Sequence, residues 1–117
     1  MIGAGIGITP VRALLESTPF QPGNATVILR GHSDSELYLG EEILELCRQR
    51  GATLFHLTGS RPPGARTWLP ESAVRAGHRL ASYVPAVADA DDYVCGPSRC
   101  RSRRRTLSRP MCWRRRS

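Results

Sequence analysis

The chain has 117 residues, a 40% apolar content and a formal net charge of +7. That length bounds it to one domain or part of one. No stretch approaches the roughly 20 apolar residues a membrane-spanning helix needs. The glycine-rich start lacks the basic segment of a secretory leader, so a cytoplasmic chain is expected.

The charge is unevenly placed. All ten acids and eight of the 17 arginines lie in residues 1–97, and the other nine arginines fall in 98–117 with no acid among them. There is no lysine anywhere. Residues 1–97 therefore read as one folded domain, and 98–117 as an Arg-rich tail. An arginine-only chain suits a GC-rich gene, in which a shifted frame yields Arg, Pro, Ser, Cys and Trp. The tail has that composition and is expected to be disordered or frameshifted. The other reading is a basic arm for nucleic acid or an acidic membrane surface. Trp113 is the only aromatic residue of the tail, which gives base stacking little support, and no nucleic-acid partner is expected.

The predicted elements follow in order. "MIGAGIGITP" is a very short strand, Met1 and Ile2, then a glycine turn and a helix entry. Thr9 is the expected N-cap and Pro10 the first helical residue. Val11, Leu14 and Leu15 give that helix one apolar face. "NATVILR" (24–30) is rich in β-branched residues and predicts a strand. "LGEEILELCRQRG" (39–51) predicts a helix, with acids early, Arg late and a Gly stop. Its inner face is Ile43, Leu44, Leu46 and Cys47. "ATLFHL" (52–57) predicts the next strand, followed by the polar loop "TGSRPPGART". "LPESAVRAGHRLASYVPAVADA" reads as mostly helical, broken at Pro85. "DDYVCGP" (91–97) closes as a short strand.

Strands alternating with helices predict an α/β fold with a parallel sheet and crossover helices. Ligands in such folds bind beyond the carboxyl ends of the strands. Those ends carry "GAGIGITP", "RGHSDSE", "TGSRPPG" and "CGP". Gly, Ser, Thr and Arg dominate them, as phosphate binding requires. The first loop is not the GxGxxG fingerprint, because Pro10 stands where the third glycine belongs.

Metal chemistry finds little support. Cys47, Cys95, Cys100 and Cys112 include no CxxC pair. The Cys95-x4-Cys100 spacing lacks the third cysteine of an iron–sulfur run. His32, His56 and His78 share no ligand spacing. No metal site and no disulfide framework are expected. No nucleophile–base arrangement or carboxylate pair argues for hydrolysis.

Taken together, the "GIGITP" loop, an Arg at the second strand end, "GSR" after the third strand and "YVCGP" resemble the ferredoxin–NADP reductase family. The likeness is to its nicotinamide-binding domain, and to bacterial flavin-dependent members including ferric reductases. It covers residues 1–97. The fold it implies is a three-layer, ferredoxin reductase-like nucleotide-binding domain. The resemblance matches Gly5, Ile6, Gly7, Thr9 and Pro10 to the pyrophosphate loop. It matches Cys95, Gly96 and Pro97 to the motif beside the nicotinamide ring, with Cys95 at the reacting position. It matches Ser60 and Arg61 to the pair that binds the 2′-phosphate of NADP, a task that Arg30 and Ser33 could share. The residues lean the same way. An NAD site commonly places an acid after the second strand. Here that strand ends on Arg30, with Asp34 and Glu36 further on. NADP(H) is therefore favoured, with NAD possible.

The implied activity is hydride transfer from NADPH to FAD, then release of electrons to a one-electron acceptor: an iron–sulfur protein, haem or ferric iron. The family's flavin motif, RxY[ST], occurs nowhere in the chain, so the FAD is expected on a missing domain or a partner chain. The short first strand and the Arg-rich tail suggest a domain incomplete at both ends and inactive alone. The alternative is a non-catalytic nucleotide-binding or interaction module, with a basic tail that could bind nucleic acid.

Overall fold

The computed structural model describes residues 1–33, 39–64, 67–85 and 93–96. Among these residues four strands form one sheet: β1 (Ile2–Ala4), β2 (Thr26–Gly31), β3 (Thr53–Thr58) and β4 (Val94–Cys95). Their order is β3-β2-β1-β4, and every pairing is parallel. The helices are α1 (Ile8–Ser17), α2 (Gly40–Arg50), α3 (Glu71–Arg75) and α4 (Leu80–Tyr83). A single 3₁₀ turn, Gly5–Gly7, joins β1 to α1. No helix among the described residues is long and apolar enough to cross a membrane.

The alternation of β2 explains the layers. Val27 and Leu29 point to one face, where they join Ile8, Val11 and Leu15 of α1 and Ile43 and Cys47 of α2 in one buried cluster. Ile28 and Arg30 point the other way. In register with Ile28, Phe55 of β3 packs edge-on against Tyr83 of α4, ring centroids 5.1 Å apart. Helices thus cover both faces, which is why β2 reads as an unbroken apolar run. The α1–α2 pair is fastened at its rim. Arg50 lies 4.1 Å over the Phe20 ring and donates to the Leu15 carbonyl.

The parallel α/β expectation holds, and the element boundaries shift. β1 runs to Ala4, although Gly3 and Ala4 had read as part of the turn. It lies at the centre of the sheet, paired on both sides, so tertiary pairing overrides the poor strand preference of glycine. Thr9 is not the N-cap. The 3₁₀ turn runs straight into the helix, Gly7 occupies the cap, and no side chain bonds there. Thr9 and Pro10 are the second and third helical residues, and the missing N–H of Pro10 falls where no intrahelical partner exists.

β2 starts two residues later than expected and includes Gly31, and β3 spans 53–58 rather than 52–57. Inner faces differ slightly too. Ile8 is buried in α1, and Leu14 is only half-buried. The third helical region is two short helices. Gly77, at φ 77°, ends α3, with its own N–H bonded to Val74 and that of His78 to Ala73. α4 stops before Pro85, as anticipated. Residues 86–92 and the tail 98–117 lie outside the described residues.

Leu15 has no exposure and sits in the middle of the α1–α2–sheet cluster. Leu15→Ala should lower unfolding free energy by about 2–5 kcal/mol. Urea denaturation of the two chains checks this; a loss under about 1 kcal/mol would mean the site collapses around the smaller side chain.

Candidate functional site

All four strands run the same way, so their carboxyl ends share one edge. β2 and β4 flank β1 on opposite sides, and the chain reverses direction across the sheet between them. That makes the end of β1 the topological switch point, where α/β sheets open a crevice. The Gly5–Gly7 turn and the start of α1 stand there, and Gly96 follows β4 beside them.

Gly5 and Gly7 do different work. Gly5 has φ 56°, a left-handed conformation costly to other residues, and a Cβ built on it meets no atom within 4 Å. The turn therefore presents open backbone at Gly5. Gly7 has φ −67°, which any residue adopts, but it is buried. A Cβ on Gly7 would collide with the Cys95 carbonyl and come 2.6 Å from the Gly96 nitrogen. The glycine turn thus lies directly on the Cys95–Gly96 peptide. Beneath it, Gly3 leaves room for Val11 of α1, whose Cγ2 would lie 2.8 Å from an added Cβ.

Cys95 is 8% exposed and faces the α1–α2 cluster. Burial pushes its thiol up from the ordinary value of 9.0, partly offset by the positive Met1 ammonium. It is therefore a thiol at neutral pH, a small apolar neighbour rather than a nucleophile. Burial likewise raises Cys47.

The other candidate residues gather one and two strands away. The Gly59 N–H donates to the Gly31 and His32 carbonyls at 3.1 and 3.0 Å, which binds the ends of β2 and β3 together. Ser33 and Ser60 each follow by one residue, both exposed, and Arg61 is half-buried. Arg30, the arginine at the end of the second strand, is 6% exposed, with Nε donating to the Trp68 carbonyl at 2.7 Å. Thr9 is exposed and Pro10 half-buried in the first turn of α1. Ile6 lies in the 3₁₀ turn. Pro97, Asp34 and Glu36 lie outside the described residues.

Sequence reasoning missed two participants, Gly3 and Trp68. Gly3 acts by what it lacks, and Trp68 through a backbone carbonyl, so neither carries a side-chain signature.

Fold and switch point define a nucleotide-binding α/β domain. The chain belongs to the oxidoreductase NAD-binding domain family, ferredoxin reductase-like in fold, whose family model matches residues 1–102. No curated protein and no solved structure matches it.

Two outcomes are expected. Gly7→Ala forces backbone apart at the switch point and should destabilise by about 1–3 kcal/mol, whereas Thr9→Ala, at an exposed position, should cost less than about 0.5 kcal/mol. Thermal unfolding of both variants checks the contrast. Second, thiols of the unfolded chain ionise around pH 9.0, while burial raises those of Cys47 and Cys95 in the folded chain. The native state then binds more protons, so stability falls as pH rises through that range. Urea midpoints from pH 7 to 10.5 should decline, with a shallower slope in Cys47→Ala.

Proposed function

We propose that this chain is the NADP(H)-holding part of a flavin-dependent oxidoreductase. The observation that carries this reading is the packing of Gly7 on the Cys95–Gly96 peptide, which joins a phosphate-type loop to the "CGP" motif at the switch point. Gly5 leaves space for a pyrophosphate, and the N-terminal end of α1, with no acid in its first turn, adds a positive dipole end. From β4 to β3 is three strand spacings, about 14 Å. A dinucleotide laid along that edge would set its nicotinamide by Cys95 and Gly96 and its pyrophosphate over Gly5–Gly7. Its adenosine end would then fall near Ser33, Ser60 and Arg61.

When bound, the nicotinamide supplies the hydride; FAD on a separate domain or subunit is the proposed acceptor, with electrons passing on to an iron–sulfur protein, haem or ferric iron. The residues of this chain contribute positioning. The buried Cys95 side chain anchors the end of β4 in the core and so fixes the backbone beside the ring. An Arg at position 61 can meet the 2′-phosphate with paired N–H donors, aided by the Ser60 hydroxyl. A cytoplasmic setting belongs to the same proposal.

NADPH should bind more tightly than NADH. Arg61→Ala should weaken NADPH by about tenfold while changing NADH less than about twofold. Fluorescence titration with both nucleotides tests this. Equal affinities before and after the substitution would overturn the 2′-phosphate assignment.

A further inference from the structure

Arg30 is the only buried charged side chain among the described residues. Its Nε donates to the Trp68 carbonyl at 2.7 Å, and its Nη1 to the carbonyls of Leu57, at 3.4 Å, and Gly31. Leu57 lies in β3 just before the chain leaves the sheet, and Trp68 just before it returns at α3. One guanidinium therefore holds both ends of the excursion that carries Ser60 and Arg61. Two backbone N–H groups complete the neck: that of Glu71 donates to the Ser60 carbonyl at 2.8 Å, and that of Gly59 to the Gly31 and His32 carbonyls.

A guanidinium is costly to bury, and the cost is offset only where its N–H groups find acceptors. Its planar fork reaches carbonyls on two separate segments at once, which an ammonium on a flexible stem does poorly. Fixing both ends of a loop removes most of its conformational freedom before a ligand arrives.

We propose that Arg30 is a positioning residue for cofactor selectivity: by clamping the Leu57 and Trp68 carbonyls it sets where Ser60 and Arg61 stand at the end of β3. It acts through the backbone of the loop, not by touching the phosphate. The inference rests on the reading of Ser60 and Arg61 as the 2′-phosphate contact.

The test uses the full chain with Arg30→Met and Arg30→Lys, beside Arg61→Ala. Amide hydrogen exchange is followed without ligand, and NADPH and NADH are titrated separately. In Arg30→Met, the Gly59 and Glu71 amides should exchange at least about tenfold faster while the Ile2 and Ile28 amides of the central sheet hold. NADPH should weaken about tenfold and NADH less than twofold. Arg30→Lys should fall between, and it carries the test alone if Arg30→Met loses its helical circular dichroism.

Unchanged exchange at Gly59 and Glu71 with selective loss of NADPH would make Arg30 a direct phosphate ligand and overturn the proposal. Equal weakening of both nucleotides, or faster exchange throughout the sheet, would reduce it to a general stabiliser and overturn it equally. The two readings fail separately. If Arg61→Ala leaves the NADPH-to-NADH ratio unchanged, the 2′-phosphate assignment falls. If Arg61→Ala changes that ratio and the Arg30 variants do not, only the positioning role falls.

Discussion

The close approach of Gly7 to the Cys95–Gly96 peptide is the constraint around which the binding edge is arranged. It requires a residue without a side chain at one place in the chain and a strand end at another, separated by nearly the whole domain. The contact forms only when β4 has paired with β1 and α1 has docked on the sheet. The glycine turn and β4 are therefore assembled by the same event that closes the core. Such non-local pairing must overcome loop-closure entropy before it gains any contact.

The core supports that contact from beneath. Val11 reaches over Gly3, and Ile8 and Leu15 extend the same face of α1 into the cluster shared with α2, Val27 and Leu29. Moving α1 outward by one methyl group at Gly3 would move the start of the helix as well. The start of α1, which lies at the switch point, thus takes its position from packing two strands deep. The stiffness of a densely packed interior is what makes that transmission effective.

The opposite face follows a different physical rule. There, a charged group rather than an apolar cluster ties sheet to loop: Arg30 sits beside Ala4 and Leu57 in register, with backbone carbonyls as its acceptors. Hydrophobic burial is non-directional, and hydrogen bonds from a planar guanidinium are directional. The α1–α2 side supplies bulk cohesion, and the α3–α4 side fixes where one particular loop leaves and rejoins the sheet. Cys95 belongs to the first regime: a thiol kept neutral by burial packs as a hydrophobe among Ile8, Val11 and Leu29.

Much of this was legible in the residues themselves. The alternation of apolar strands with amphipathic helices determined a parallel α/β sheet, because the two periodicities are local and cannot both be satisfied another way. The glycine turn, "GSR" and "CGP" marked the strand ends where a nucleotide site belongs. Local pattern failed where meaning depends on distant partners. Gly3 and Ala4 look like loop until β2 and β4 pair with them. Thr9 looks like a cap until the 3₁₀ turn supplies a helix start of its own. Arg30 looks like a strand-end charge until the Trp68 carbonyl, 38 residues away, accepts a hydrogen bond from it. Gly7 looks like a phosphate glycine, and its steric role exists only once the Cys95–Gly96 peptide lies against it. Chemistry at the level of residue type was written along the chain; which backbone groups each residue must meet was decided only when the strands came side by side.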